Sequence, residues 1–309
     1  MLMQASNPSR RPLEGRVAIV TGAGKGLGAA FARELARQGA RIIVNNRLKP
    51  GRADEAAAVA AEIRDAGGEA VAEHSDITDP QAGERLAKAA LDAFGQLDIV
   101  VCNAGITGPA AKFSPEGPAT IRAVMNTNLF ATADILAACQ PALEASSAAR
   151  VLMVSSSAGL YGVRGRAAYA ASKGAMNAFA LTLADEWRKP GILVNVLCPY
   201  AATQMTADVS RPDEIDPRLL PEHIAPAAAW LVSPDLTRTG EIWLGGAGWL
   251  RKIRIVETEG GPMPQTLDAF DAFAETQSGL ETARGFPGAE PAFADLYKTM
   301  ARHNSEPGK

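Results

Sequence analysis

Thr21-Gly22-Ala23-Gly24-Lys25-Gly26-Leu27-Gly28 follows the apolar run Val17-Ala18-Ile19-Val20 and opens a segment, Ala29 to Gln38, with helical periodicity. Leu27, Ala30, Phe31 and Leu35 recur there at the spacing of one helix face. The pattern is strand, glycine turn, helix. Glycines at 22, 26 and 28 let a backbone turn tightly, approach a pyrophosphate and present the positive end of a helix to that anion. Lys25 and Leu27 sit inside the same turn. Alone, such a fingerprint also suits an ordinary strand-to-helix loop, so the rest of the chain must decide.

Composition narrows the possibilities. The chain has 309 residues, 47% hydrophobic and 21% charged, with a formal charge of −3, an ordinary globular balance that leaves room for a large core. No excess of basic charge invites a polyanion, so a nucleic-acid partner is not expected. Cys102, Cys139 and Cys198 are an odd, widely spaced set and read as reduced structural residues. His74, His223 and His303 are scattered, and no metal site is expected. Residues 1–12 read as a flexible polar arm rather than a signal peptide, and no run of 18 apolar residues exists. The expectation is a cytoplasmic protein with no membrane partner. The chain ends in Pro307-Gly308-Lys309 rather than Ser-Lys-Leu, so no peroxisomal address of that kind is expected.

Beyond the glycine turn, strand and helix patterns alternate. A β-branched run at 41–45 precedes an alanine-rich helix at 53–66, a strand at 70–74, a helix from Pro80 to Phe94 and a strand at 97–102. The alternation continues with helices at 128–144, 169–187 and 222–231 and strands at 151–154, 192–197 and 241–244. Near-continuous apolar strands separated by helices predict an α/β fold: a doubly wound, Rossmann-like parallel sheet covered by helices on both faces, over residues 13–245. After Gly245 the composition shifts. Residues 246–309 read as a C-terminal extension, with an alternating strand at Lys252 to Glu257 and a helix at Leu267 to Gln277. It is expected to pack on the same domain or at an oligomer interface, burying Trp249, Ile253 and Ile255.

In a doubly wound sheet, ligands lie beyond the carboxyl ends of the strands. Asp76-Ile77 follows the third strand and Asn103-Ala104-Gly105 the fourth, where either could touch a dinucleotide or simply form a turn. Beyond the fifth strand stands Ser155-Ser156-Ser157; Tyr169 follows Ser156 by thirteen residues and Lys173 stands four further on, on the same helix face. An ordinary phenol, with pKa near ~10, costs about 4 kcal/mol to use as a base at pH 7 unless cations stabilise the phenolate. Lys173 is one such cation, an oxidised nicotinamide would be another, and a serine hydroxyl can hold the substrate oxygen. At the end of the second strand, Asn46 stands where NAD-preferring enzymes place an acid on the ribose 2′-hydroxyl, and Arg47 follows it. With Lys25 this predicts NADP, NAD being the alternative.

Taken together, Thr21-Gly22 to Gly28, Asp76, Asn103-Ala104-Gly105, Asn128, Ser156, Tyr169-Ala170-Ala171-Ser172-Lys173 and Pro199 resemble the short-chain dehydrogenase/reductase family in order and spacing, over about residues 13–245. The resemblance implies Tyr169 as general acid/base, Lys173 lowering its pKa and binding the nicotinamide ribose, Ser156 positioning the carbonyl or carbinol, and Asn128 holding a water. It also implies cofactor contacts from Pro199, Ala202 and Thr203 after the sixth strand, and a homodimer or homotetramer. The short Pro199-Tyr200-Ala201-Ala202-Thr203 segment and the stretch from Gly246 to Arg254 are similar to the (3R)-hydroxyacyl-CoA dehydrogenase unit of peroxisomal type 2 multifunctional enzymes. That implies an alcohol/ketone pair on an acyl thioester or steroid. Other small ketones, epimerisation or dehydration on the same fold, and a catalytically silent dinucleotide sensor remain the alternatives. The presence of all four catalytic residue types favours an enzyme.

Overall fold

The structure is a computed structural model that describes residues 11–201 and 216–305. Among these, eight strands form one sheet: β1 (Val17–Val20), β2 (Arg41–Asn45), β3 (Glu69–Glu73), β4 (Ile99–Cys102), β5 (Arg150–Val154), β6 (Leu193–Pro199), β7 (Ile242–Gly246) and β8 (Trp249–Ile253). Their order is β3-β2-β1-β4-β5-β6-β7-β8. The helices are α1 (Gly26–Arg37), α2 (Glu55–Asp65), α3 (Ala82–Phe94), α4 (Gly117–Met125), α5 (Ala131–Glu144), α6 (Ala158–Tyr161), α7 (Ala167–Glu186), α8 (Ala225–Leu231), α9 (Leu267–Thr276) and α10 (Ala289–Ser305).

Strands β1, β4 and β5 are buried at every position, as both-sided burial of a parallel sheet requires. All pairings from β3 through β7 are parallel. Ala18 and Val20 of β1 face α1, α2 and α8 in one core cluster, while the alternate residues Val17 and Ile19 are buried on the other face. On that second face α3 packs with α5 and α4 with α7. The strand order reverses between β1 and β4, which opens a crevice at their carboxyl ends.

The helix expected from Asn128 to Glu144 starts inside a π-helical turn, Asn126–Phe130, and continues as α5, while α4, not expected from the sequence, leads into that turn. α4 opens on Gly117-Pro118, where proline costs nothing because its missing N–H would have no helical partner.

The extension differs from expectation in register. Ala247 (φ 50°) and Gly248 (φ 78°) form the two-residue left-handed turn that suits a tight hairpin, so β8 starts at Trp249 and folds back beside β7. The strand expected at 252–257 is therefore finished by Ile253, and Glu257 makes only an isolated bridge to Arg284. The hairpin is fastened by buried Glu241, which accepts from Lys252 and from Trp243 Nε1 (2.9 Å) and pairs with Arg238 (3.1 Å). Trp249 and Ile255, expected to be buried, are 76% and 71% exposed in the single chain. The chain divides into two compact units, the first running to Lys252 and the second from Ile253 to Lys309. Within the second, Arg284 and Asp295 form an ion pair at 2.9 Å, and α9 buries none of its residues.

Candidate active site

The glycine turn is held from β4. Thr21 Oγ donates to the Val101 carbonyl (3.3 Å) and accepts from the backbone N–H groups of Asn103 (3.0 Å) and Ala104 (3.1 Å). The Asn103 side-chain amide donates to the carbonyls of Thr21 (2.9 Å) and Gly22 (3.2 Å). Asn103, expected to touch a dinucleotide, has its side-chain amide committed to the turn and so shapes the cradle. A Cβ on Gly22, whose φ is +62°, would lie 2.9 Å from Ala104 Cα, and one on Gly28 would collide with the Gly22 carbonyl and lie 2.5 Å from Asn103 Nδ2. Gly26 also has a left-handed φ of 55°. α1 starts here with no side-chain cap and no acid in its first turn. An uncapped positive helix end beside a backbone kept bare is a cradle fit for a dinucleotide pyrophosphate.

From this turn a line of contacts leads to the expected catalytic residues. Ala104 touches Gly22, and a Cβ on the next residue, Gly105, would lie 3.0 Å from Asn128 Oδ1 and 3.8 Å from Lys173 Nζ. Lys173 Nζ stands 5.9 Å from the centre of the Tyr169 ring. Ser156, just beyond β5, accepts from Ala158 N–H at 3.1 Å and interacts with the Tyr169 phenol. Asn128, Ser156, Tyr169 and Lys173 thus meet beyond the carboxyl ends of β4 and β5.

The supporting bonds define what each group has left to offer. Asn128 is fully buried in the π-helical turn; its Oδ1 accepts from Ile106 N–H (2.8 Å) and its amide donates to the Ile106 carbonyl and to Ser172 Oγ (both 2.9 Å). Its side chain has no donor left for a water, so what remains is the backbone carbonyl, which already accepts from Thr132 Oγ at 3.0 Å and has a second lone pair. Lys173 is buried, donates to the Val154 carbonyl at 2.7 Å, and burial brings its pKa down to about 8. Burial pushes the Tyr169 phenol up, with the Ser156 hydroxyl and the Arg166 charge pulling the other way and the nearby Cys198 thiol adding to the rise. Lowering by Lys173, the effect the family resemblance implies, is therefore not what dominates in the protein by itself. Ser172 and Arg166 were not legible as site residues: one anchors Asn128, and the other faces Tyr169 while donating to the Gly108 carbonyl at 2.9 Å. All three cysteines are unpaired and buried.

At the adenosine end, both expected cations are paired. Lys25 Nζ lies 3.4 Å from Glu55 Oε1, and Arg47 donates to Asp76 at 2.8 Å. Burial tends to raise the Asp76 carboxyl, but hydrogen bonds from Arg47 and Thr78 outweigh it and leave its pKa low. Asn46 donates to Glu55 Oε2 at 3.0 Å. Ile77 is buried behind Asp76, and Pro199 ends β6. Ala202 and Thr203 lie outside the described residues. Next to the start of α7, a cavity of about 270 Å³ is lined by Thr107, Lys112, Phe113, Thr120, Arg166 and Ala168.

A family model described as short chain dehydrogenase matches residues 16–214, which takes in every motif from the glycine turn to the end of β6. The chain belongs to the short-chain dehydrogenase/reductase family. Within that family it is 38% identical over 252 residues to the mouse peroxisomal multifunctional enzyme type 2, covering 80% of this chain and 34% of that protein. It is also 38% identical over 253 residues to the hydroxyacyl-CoA dehydrogenase ChsB1 of Mycobacterium tuberculosis, covering 76% and 79%. The chain spans only about a third of the mouse enzyme. Among solved structures, a 7α-hydroxysteroid dehydrogenase complexed with NADH and 7-oxo glycochenodeoxycholic acid superposes with a TM-score of 0.69 at 30% identity, covering 79% of this chain and 98% of that one. Short-chain dehydrogenases act on small molecules with a nicotinamide dinucleotide and often form oligomers. Among the described residues no helix is long and apolar enough to cross a membrane. Relatives with peroxisomal names mean that cytoplasmic residence is not a family property.

Proposed function

We propose that this chain interconverts a secondary alcohol and a ketone, with a 3-hydroxyacyl thioester or a hydroxysteroid as the alcohol. The observation that carries the reading is the unbroken line of contacts from the glycine turn through Ala104 and Gly105 to Asn128, Lys173 and Tyr169. A bound nicotinamide dinucleotide supplies the hydride acceptor or donor. Tyr169 takes the alcohol proton during oxidation and returns it during reduction. Ser156 holds the substrate oxygen, and the buried Lys173 charge stabilises the phenolate. The Asn128 carbonyl holds the water through which Lys173 exchanges protons with solvent. Lys25 and Arg47 favour NADP by their charge, while their pairing with Glu55 and Asp76 favours NAD.

The substrate class is supported by the hydroxyacyl-CoA and hydroxysteroid dehydrogenases among the relatives. Turnover of 3-oxoacyl thioesters, ketosteroids and small ketones, followed by dinucleotide absorbance, tests it. A thioester or steroid is expected to exceed small ketones in kcat/KM at least tenfold. Small ketones turned over as well would make the chain a general carbonyl reductase, and dinucleotide binding without turnover of any of them would make it a sensor.

The extension from residue 246 is proposed to act in a homodimer or homotetramer, where Leu267, Phe293 and Tyr297, exposed in the single chain, would be covered. Ending the chain after Ile255 keeps the β7–β8 hairpin and its Lys252–Glu241 pair. The shortened protein is expected to lose subunits in light scattering or to show a raised KM. Unchanged size, stability and KM would refute this role.

A further inference from the structure

We propose that Glu55 sets the choice of dinucleotide, taking the role of the acid missing at Asn46 and excluding a 2′-phosphate; the inference rests on the dinucleotide reading above. Asn46 ends up beside β2 where a ribose 2′-hydroxyl is recognised in this kind of sheet, but an amide by itself neither repels nor attracts a phosphate dianion. Nine residues on in sequence, Glu55 opens α2 and returns to the same place: its Oε2 accepts from Asn46 Nδ2 at 3.0 Å and its Oε1 lies 3.4 Å from Lys25 Nζ. A Cβ on Gly24 would lie 2.6 Å from Asn46 Nδ2 and 2.8 Å from Glu55 Cβ, so the glycine turn, Asn46 and Glu55 are packed in direct contact. The carboxylate is part of the wall of the cradle rather than a side chain waving in solvent.

Its position is fixed from below. Asp54 caps α2 by accepting from Ala57 N–H at 2.9 Å and bonds His74 at 2.8 Å, which locks the first turn from which Glu55 projects. A carboxylate is favourably placed in the first turn of a helix. Both expected cations are already engaged: Lys25 with Glu55, and Arg47 with Asp76. A 2′-phosphate would bring about two further negative charges against Glu55, and the two cations expected to receive them, Lys25 and Arg47, are already paired. A 2′-hydroxyl, by contrast, can donate to the Glu55 carboxylate or to the Asn46 carbonyl oxygen. The preference inferred is therefore for NAD, in place of the NADP predicted from Asn46, Lys25 and Arg47 alone.

The test is calorimetric titration of the full chain with NAD, NADP, 5′-AMP and adenosine 2′,5′-bisphosphate, which reads binding without turnover. Wild type is expected to bind NAD at least tenfold more tightly than NADP. Glu55→Gln removes the charge at constant shape: NADP and the 2′,5′-bisphosphate should bind at least tenfold more tightly, and NAD about threefold more weakly. Glu55→Asp should keep the wild-type order. A wild-type preference for NADP, or a Glu55→Gln variant whose affinities for the two dinucleotides move together, overturns the role of Glu55 and leaves the dehydrogenase reading standing. Folded wild type that binds no dinucleotide at all overturns both.

Discussion

Tyr169→Phe is expected to reduce turnover by at least a hundredfold while leaving dinucleotide affinity within about fivefold. The substitution removes one oxygen and keeps the ring, so the placement of the ring beside Ser156 and Lys173 survives. What is lost is proton transfer at the substrate oxygen, worth roughly 10² to 10⁴ in rate when a positioned side chain performs it. Binding loses at most one hydrogen bond, about 1 kcal/mol, which is the basis of the fivefold limit. Steady-state rates alongside calorimetric titration separate the two. Retention of more than a tenth of wild-type turnover would remove Tyr169 from the proton-transfer role.

Lys173→Met should abolish activity and yet make the ligand-free protein more stable. Burial holds the Lys173 pKa at about 8, against ~10.4 for an unburied lysine. Below pH 8 the group is charged in both folded and unfolded chains, and the folded protein carries the full penalty, about 3 kcal/mol for such a shift. As pH rises from 8 toward ~10.4 the folded state gives up the proton that the unfolded state still holds, so stability climbs through that window. Methionine fills a similar volume without the charge but forfeits the bond to the Val154 carbonyl, leaving a net gain of about 1–2 kcal/mol. That corresponds to a rise in Tm of roughly 2–3 °C for a chain of this size. Melting curves at pH 7 and 9.5 check it: the variant should melt higher at pH 7, with the advantage shrinking at 9.5. A lower Tm at pH 7 would mean that the lysine is a structural asset rather than a strained catalytic group.

The parts of this structure that were legible in sequence are those whose cause is local. Val17-Ala18-Ile19-Val20 and the other apolar runs fix the sheet because burial on both faces leaves no polar alternative, and Gly22 and Gly28 announce a turn because a side chain there would strike backbone. Tyr169 and Lys173 could be paired because helix geometry fixes their separation. Other features depend on partners far along the chain. A π-helical turn at Asn128 has no compositional signature, since it is imposed by the bonds to Ile106 and Ser172. Glu55 looks like an ordinary first-turn acid until β2 brings Asn46 against it. The β8 register was readable only in part: Gly248 suits a left-handed turn position, whereas Ala247, an alanine at φ 50°, announces none. α10 was readable in principle, because Phe293, Leu296, Tyr297 and Met300 repeat at helical spacing.

The clamp between Thr21 and Asn103 joins residues 82 apart in the chain. During synthesis, every glycine of the turn has therefore been made long before the residues that hold it in shape. A ribosome paused anywhere before β4 carries a turn without its clasp, and because β1 pairs with both β2 and β4, the first strand must wait with one edge open. Cofactor present in the cell can stabilise only what it can bind. It thus has nothing to grip until about a third of the protein exists, and the earliest stretch of the nascent chain depends on slow, long-range strand pairing alone.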